Sequence, residues 1–174
     1  MTAAPAPAGR AQALISTLQL APHPEGGWYR EVFRSTATVQ PADGRGERSV
    51  LTSIDFVLVA GDRSAWHRVA ADEVWHLLEG GPLRLWLVPP DLSRVELVEL
   101  GAADGCGRRP CHVVPAMWWQ AAQPLTEAGQ PAAFAYVGAT VAPGFDIADF
   151  SFGRDDTGLC EALQRLRPEA LDLL

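Results

Sequence analysis

His67 and Glu73 are the side chains best suited to chemistry in this sequence, and both lie in the stretch Gly61–Gly81, GDRSAWHRVAADEVWHLLEGG. One apolar run, Leu51–Ala60, precedes this stretch, and another, Val74–Leu78, follows Glu73. Two strands joined by a tight loop would place the two side chains at facing positions, about 5 Å apart. Both would then be within reach of one metal ion, water molecule or substrate atom.

A histidine beside a carboxylate is suited to general base catalysis, because the carboxylate fixes the tautomer of the ring and raises its pKa. We therefore predict that His67 removes a proton next to a carbonyl group, as sugar epimerases and isomerases do. Glu73 would orient His67 or act as an acid. The alternative is that the pair forms a buried polar bridge without activity.

Composition limits the classes of function. The chain has 174 residues, 48% of them hydrophobic, and a net charge of −7. This predicts one domain with a real core and argues against a nucleic-acid partner or a polybasic contact with a membrane. No apolar run approaches the about 20 residues of a membrane helix, and no secretory signal is seen, so we expect a cytoplasmic protein. The three cysteines, Cys106, Cys111 and Cys160, are then expected to be reduced thiols.

The elements that must position the candidate residues are mostly strands. Short apolar segments separated by Gly/Pro turns are typical of a β-sandwich or barrel rather than of βαβ units. We predict strands at Trp28–Phe33, Val50–Val59, Glu73–Leu78, Leu83–Val88, Arg94–Leu100, Cys111–Val114, Trp118–Ala122 and Ala132–Val141. Helices are predicted at Arg10–Leu20 and Thr157–Leu166, after a flexible tail at residues 1–9. Residues 10–174 form a single all-β domain in this prediction, and the loop Arg45–Arg48 is expected to be solvated.

Three charged residues are candidates for binding a substrate. Glu25 precedes two glycines and could lie across the mouth of a barrel, while Arg30 and Arg68 could bind an anionic group, since guanidinium groups match carboxylates and phosphates. In the alternative interpretation, the glycines only form the turn and Arg30 pairs with a nearby acid. We expect His23, in its Pro-flanked turn, to be structural or exposed.

Strand alternation gives further expectations. Trp118 and Gln120 lie two residues apart on one strand and would face the same side, where both are candidates for binding a substrate and the indole offers a flat wall to a ligand. Glu73 and Trp75 likewise share a face, which leaves His76 on the opposite one, in the core or at a subunit interface. Asp146 and Asp149 are expected to stabilise the turn that follows Pro143–Gly144.

Several motifs resemble those of the cupin superfamily. Gly61, His67, Glu73 and Gly80 match the spacing of the first cupin motif, with Val69 in place of its second histidine. Pro115–Gln120 resembles the second motif, with Met117 in place of a glycine and Gln120 in place of the third histidine ligand. The resemblance is closer to a largely uncharacterised cupin subgroup whose sequence boxes match His23–Glu31, Ser64–His76, Val114–Gln120 and Val141–Phe150.

This resemblance implies a cupin jelly-roll β-barrel, distantly similar to dTDP-sugar 3,5-epimerases and seed-storage cupins, and a homodimer. Function is then an analogy from fold. The leading hypothesis is an isomerase or epimerase that acts on a carbohydrate-like carbonyl compound held in the barrel. The second is a non-catalytic module that binds a small ligand. The third is a metal-dependent enzyme, such as an oxygenase, that holds a divalent transition metal with His67, Glu73 and Gln120.

Overall fold

The computed structural model describes residues 7–105, 107–126 and 134–174. Strands are the main regular secondary structure of the described chain, and we number them in the order of the sequence. They are β1 (Ala21–Pro22), β2 (Trp28–Arg34), β3 (Thr38–Val39), β4 (Arg48–Ser49), β5 (Thr52–Leu58), β6 (Ser64–Val69), β7 (Asp72–Gly80), β8 (Leu83–Val88), β9 (Glu96–Leu100), β10 (Cys111–Val114), β11 (Trp119–Pro124), β12 (Ala135–Ala142) and β13 (Phe150–Phe152). The helices are α1 (Pro7–Thr17) and α2 (Thr157–Leu166), and short 3₁₀ segments span Ile147–Asp149, Gly153–Asp155 and Pro168–Leu173.

Two antiparallel sheets form the body of the protein. The larger has the strand order β1-β2-β5-β12-β7-β10, and the smaller has the order β13-β6-β11-β8-β9. Strands β3 and β4 form a separate ribbon. The prediction of an all-β jelly-roll barrel with short helices at both ends is confirmed. Neither helix in the described part of the chain has the length and apolarity needed to cross a membrane.

The main core lies between the two sheets, because alternate residues of each strand point inward. Phe56 and Trp75 from the larger sheet meet Leu85 and Leu87 from the smaller one in this cluster, and all four are at least 95% buried. This layer holds the inner faces of the strands together and leaves a cavity at one end of the barrel.

The two helices cover outer faces of the sheets. Asp156 caps the N-terminus of helix α2, since its side chain accepts a hydrogen bond from the Leu159 N–H, and the helix packs through Leu159 against Trp66 and Trp119 of the smaller sheet. Its bounds agree with the prediction. Helix α1 packs against the larger sheet but begins at Pro7, three residues earlier than predicted. The rest of the predicted tail, residues 1–6, lies outside the described residues.

The expected pairing of the strands that carry His67 and Glu73 is wrong. Strand β6 belongs to the smaller sheet, where His67 is paired with Gln120 and Phe152. Strand β7 belongs to the larger sheet, where Glu73 is paired with Val114 and Val141. The link between β6 and β7 therefore crosses from one sheet to the other. The two side chains approach each other across the barrel rather than along a hairpin.

Two local expectations are also corrected. His76 lies on the face of β7 opposite Glu73, as alternation predicted, and it is exposed rather than part of the core, so that a place at a subunit interface stays a prediction. The loop at Arg45–Arg48 is anchored rather than solvated, since Asp149 accepts hydrogen bonds from both arginines at 2.8–2.9 Å. Asp146 caps its turn as expected, by accepting a hydrogen bond from the Ala148 N–H. Cys111 and Cys160 are free thiols, and Cys106 lies outside the described residues.

Candidate active site

A cavity of about 570 Å³ opens between the two sheets. Two histidines and two glutamates form a cluster of acid–base groups in its wall: His23, Glu25, His67 and Glu73. Tyr29 and Glu31 line it as well. Apolar walls surround these groups, and their largest members are Phe56, Trp75, Phe145, Ile147, Phe150 and Phe152. A site that is mostly apolar with a few converging polar groups is typical of small-molecule binding.

The turn before β2 carries Glu25 into the cavity. Backbone hydrogen bonds from the His23 N–H to the Gly27 carbonyl, at 2.9 Å, and from the Gly26 N–H to the His23 carbonyl, at 3.0 Å, close this turn. Gly26 has a φ of +107°, and a Cβ placed there would lie 2.1 Å from the carbonyl oxygen of Arg63. Only glycine fits this position, and the resulting turn directs the Glu25 carboxylate at Ser64, whose hydroxyl donates a hydrogen bond at 3.0 Å.

His67 projects inward from β6 and is 2% exposed. Its Nδ1 lies 2.8 Å from the carbonyl oxygen of Ala65, to which it donates, and 3.4 Å from a carboxylate oxygen of Glu25. The ring is stacked on Phe150, with centroids 5.7 Å apart. Burial lowers the pKa of His67, so the ring is neutral at neutral pH. Within the described residues no group forms a hydrogen bond with Nε2, which therefore remains available to a ligand.

His23 also belongs to this cluster, so the expectation that it would be exposed is wrong, whereas its contact with the turn agrees with a structural role. Its Nδ1 accepts a hydrogen bond of 3.2 Å from the backbone N–H of Glu25 and lies 3.7 Å from the Glu25 carboxylate. The ring packs edge-on against Tyr29, with centroids 4.3 Å apart. Burial lowers its pKa. The sequence signal for His23 was its position two residues before Glu25 in the same turn.

The two carboxyl groups have strongly perturbed acidities. The pKa of Glu73 is raised to about 7, mainly by burial and also by the nearby Glu25, while His67 and the hydrogen bond from Gln120 act in the opposite direction. Burial likewise raises the pKa of Glu25 to about 7, against the effects of His23 and of the Ser64 hydrogen bond. Both groups therefore exchange protons near neutral pH, which is the range that acid–base catalysis requires.

Gln120 supports Glu73 from behind and does not line the cavity, which corrects its assignment to substrate binding. Its amide nitrogen donates a hydrogen bond of 2.5 Å to Glu73, and its oxygen accepts one of 2.9 Å from the Trp75 indole N–H. Because an indole N–H can only donate, the orientation of the amide is fixed. The carbonyl oxygen of Gln120 consequently faces Trp75 rather than the cavity.

The predicted metal ligands, His67, Glu73 and Gln120, do not fit a transition metal. The donor oxygen of Gln120 already accepts the hydrogen bond from Trp75, and its amide nitrogen is not a ligand. Within residues 7–105, 107–126 and 134–174, no three His, Cys, Asp or Glu side chains are grouped so as to hold a metal ion. The donor set therefore does not support this metal site.

Two further assignments to substrate binding, those of Arg68 and Trp118, are corrected, whereas Arg30 lies at the edge of the cavity. Arg68 follows His67 in β6 and so faces outward, where its guanidinium lies 4.3 Å from the centre of the Trp119 ring. Arg30 borders the mouth of the cavity, but its guanidinium lies 3.5 Å from Asp55 on the outer face of the larger sheet. Trp118 precedes β11, packs against the main core and does not line the cavity. Of the residues predicted to bind a substrate, Glu25 and Arg30 line the cavity.

Comparison with protein families gives one match. The family model Cupin_5, described as Cupin superfamily (DUF985), matches residues 12–153. No match was found among curated proteins.

Solved structures include two similar proteins of nearly the same length. A hypothetical protein from Leishmania major has 31% sequence identity and a TM-score of 0.78, with 91% of this chain and 93% of that chain covered. A protein from Shewanella oneidensis also has 31% identity, with a TM-score of 0.74 and coverages of 91% and 90%. Oxalate decarboxylase from Bacillus subtilis is 18% identical, with a TM-score of 0.54, and this chain covers 36% of it. That last similarity concerns the fold alone.

Proposed function

The chain belongs to the Cupin_5 family of the cupin superfamily, and we propose that it is an isomerase or epimerase that moves a proton next to the carbonyl group of a carbohydrate-like compound. One observation carries this proposal. The ring of His67 holds its proton on Nδ1 against the Ala65 carbonyl, and its Nε2 is available in a cavity that also contains two carboxyl groups.

His67 acts as the general base in this proposal. Its lowered pKa keeps the ring neutral, so Nε2 has a lone pair that can accept the proton from the carbon beside the carbonyl. The Ala65 carbonyl keeps the Nδ1 proton in place and fixes the orientation of the ring. The imidazolium formed by this step would be stabilised by the nearby carboxylate oxygen of Glu25, 3.4 Å from Nδ1.

The carboxyl groups supply the second half of the proton transfer. With pKa values of about 7, Glu25 and Glu73 are each partly protonated at neutral pH. A protonated carboxyl can donate to an oxygen that gains charge, and a deprotonated one can accept a proton from a hydroxyl. The apolar side chains of the wall lower the local polarity, which strengthens these interactions.

Solvent proton exchange tests the proposal without knowledge of the product. The protein is incubated in deuterated water with a panel of aldoses and ketoses, and the loss of the proton signal next to each carbonyl is followed by NMR. We expect exchange with at least one compound, and His67→Gln should slow it by roughly 10²-fold or more, since general base catalysis contributes about that much.

His76→Gln is the matched control, because His76 is exposed on the outer face of β7. It should exchange at the rate of the natural protein. Equal rates for His67→Gln and the natural protein would exclude His67 as the base. Binding of a compound without exchange of any proton would instead favour a non-catalytic binding module, the second function considered from the sequence.

A further inference from the structure

The two histidines of the cavity present opposite hydrogen-bonding nitrogens to a ligand. From this arrangement we infer that the substrate is a neutral α-hydroxycarbonyl compound, and that His23 donates a hydrogen bond to its carbonyl oxygen while His67 acts as the base. This inference rests on the proposed function, since it names the substrate class and a second catalytic group for the same site.

Backbone contacts fix the tautomer of each neutral ring. A carbonyl oxygen can only accept, so Nδ1 of His67, 2.8 Å from the Ala65 oxygen, must carry the proton and Nε2 must carry the lone pair. A backbone N–H can only donate, so Nδ1 of His23, 3.2 Å from the Glu25 nitrogen, must accept and Nε2 must carry the proton. One ring is therefore an acceptor toward a ligand and the other is a donor.

Glu25 holds the two rings close together. One of its carboxylate oxygens lies 3.7 Å from Nδ1 of His23 and 3.4 Å from Nδ1 of His67. Because this oxygen contacts both Nδ1 atoms, the Nε2 atoms are the ring nitrogens that remain for a ligand. A hydroxyl group next to a carbonyl group offers one donor and one acceptor on neighbouring carbons, which is the complement of this pair.

The charges of the lining favour a neutral compound. The cavity contains the carboxyl groups of Glu25 and Glu73, which would repel an anion. The lining arginines are Arg30, near Asp55 at 3.5 Å, and Arg34, which donates two hydrogen bonds to Glu31. Each arginine in the described lining is therefore already paired with a carboxylate and is not free to bind an anionic group.

The proton transfer balances without any other reactant. His67 Nε2 takes the proton from the hydroxyl-bearing carbon, and the electron pair of that C–H bond forms the carbon–carbon double bond of an enediolate. The carbonyl π electrons move to its oxygen, and the His23 Nε2–H stabilises the new charge by hydrogen bonding. A neutral imidazole is suited to this electrophilic role because its N–H lies near the reacting oxygen without forming an ion pair with the carboxylates. Isomerisation is completed when the proton returns to the former carbonyl carbon while a lining carboxylate such as Glu73 passes the hydroxyl proton to the former carbonyl oxygen. Epimerisation is completed when a protonated carboxyl group of the lining delivers its proton to the opposite face of the first carbon and recovers one from the His67 imidazolium.

The first measurement is made on the natural protein with ¹⁵N-labelled histidine, by long-range nitrogen–proton NMR at mildly alkaline pH. We expect His67 to be protonated on Nδ1 and His23 on Nε2. Three probes with the same carbon skeleton follow: D-xylulose, xylitol and D-xylonate. D-xylulose should shift both Nε2 signals, whereas xylitol lacks the carbonyl and D-xylonate is an anion, so both should bind at least about tenfold more weakly.

Two variants separate the role of His23 from packing. His23→Phe keeps an aromatic ring against Tyr29 but removes the donor, and His23→Gln keeps an amide N–H. With any substrate that exchanges in the proposed-function assay, His23→Phe should lower the exchange rate about 10²-fold at saturating substrate, as loss of one donor to a developing oxyanion does. His23→Gln should recover part of this loss, and His76→Gln should have no effect.

The two proposals fail in different ways. Three results would overturn the inference: the same tautomer in both rings, stronger binding of D-xylonate than of D-xylulose, or an undiminished exchange rate in His23→Phe. The proposed function would stand in each case as long as the natural protein exchanges a proton next to a carbonyl group. If the tautomers and the order of binding are as predicted but no compound exchanges a proton, the proposed function is overturned. The inference that the ligand is a neutral α-hydroxycarbonyl compound is then retained.

Discussion

At the scale of single residues, Gln120 connects the two sheets through one side-chain amide. Its oxygen accepts a hydrogen bond from Trp75 and its nitrogen donates to Glu73, and all three residues are at least 93% buried. Water has little access to these groups, so each hydrogen bond that is lost leaves an unsatisfied polar atom. Gln120 therefore acts as a positioning residue that holds the Glu73 carboxyl at the wall of the cavity.

We predict that Gln120→Leu destabilises the fold and raises the pKa of Glu73 further. The substitution leaves the Trp75 N–H unpaired, which should cost about 2 kcal/mol of the free energy of unfolding. It also removes the hydrogen bond that lowers the pKa of Glu73. Urea denaturation measures the first effect, and NMR titration of the ¹³C-labelled carboxyl group measures the second.

Gln123→Leu is the control for this prediction, because Gln123 lies on the same strand but is partly exposed. It should change the free energy of unfolding by less than about 0.5 kcal/mol. A Glu73 pKa that stays the same in Gln120→Leu, or falls, would show that Gln120 does not hold this carboxyl.

The sequence predicted part of the site correctly at this scale. His67, Glu73 and Glu25 do line one cavity, as their motifs indicated. The assignment of Arg68 to substrate binding was wrong, although strand alternation predicts its true position. Arg68 directly follows the inward-facing His67 in β6 and must therefore face outward. His23 was missed because its tautomer and orientation depend on the hydrogen bond that its ring accepts from the Glu25 backbone N–H. No spacing pattern in the sequence reveals this contact.

At the scale of elements, the turn His23–Gly27 determines where two of the four acid–base groups lie. Its two backbone hydrogen bonds fix His23 on one side and Glu25 on the other. The glycine that permits the turn, Gly26, passes directly beside the backbone of Arg63, the residue before β6. The turn is thus fitted against the strand that carries His67.

We predict that Gly26→Ala is more damaging than Gly44→Ala, although both glycines have positive φ values, +107° and +84°. The conformational cost is shared and is about 1–2 kcal/mol. Only the Cβ at position 26 meets a backbone atom, at 2.1 Å, whereas none lies within 4 Å at position 44. We expect Gly26→Ala to cost about 2 kcal/mol more, because backbone atoms must move. Urea denaturation of both variants checks this, and equal costs would contradict it.

Strand β13 shows where element prediction fails. Pro143–Gly144 correctly indicated a turn, but Phe150–Phe152 then pairs with β6 and places Phe150 against His67. A strand of three residues has too little pattern to be recognised. Its position depends instead on Asp149, which is bound by Arg45 and Arg48 from a loop about a hundred residues earlier in the chain. Such long-range ion pairs are not visible as a local signal.

At the scale of the whole molecule, the arrangement of the sheets brings the site together. The apolar segments and turns were sufficient to predict a jelly roll, because each strand buries alternate side chains. They could not show that β6 and β7 enter different sheets, and that step places His67 and Glu73 on opposite walls of one cavity. The homodimer expected from the cupin resemblance stays a prediction, which light scattering in solution can check.

The pH dependence of stability tests the buried cluster in the intact protein. Glu25 and Glu73 have pKa values raised from 4.5 to about 7, so the folded state favours their protonated forms. Their contribution to stability is fully present below the unfolded pKa of 4.5 and is lost as pH rises through about 7. His23 and His67 have lowered pKa values, so their contribution is lost as pH falls below 6.5.

We therefore expect the free energy of unfolding to increase by about 1 kcal/mol as pH falls from about 8 to about 6.5, where the carboxyl groups take up protons before the histidines oppose them. The double variant Glu25→Gln/Glu73→Gln should lack this increase and should be more stable than the natural protein at about pH 8. Glu161→Gln, which alters an exposed residue of α2, should retain the increase. Urea denaturation at several pH values measures all three proteins. Two results would contradict this prediction: a free energy of unfolding of the natural protein that rises with pH over this interval, or one that changes with pH equally in the double variant and the natural protein. Either would show that the two carboxyl groups are ionised in the folded state.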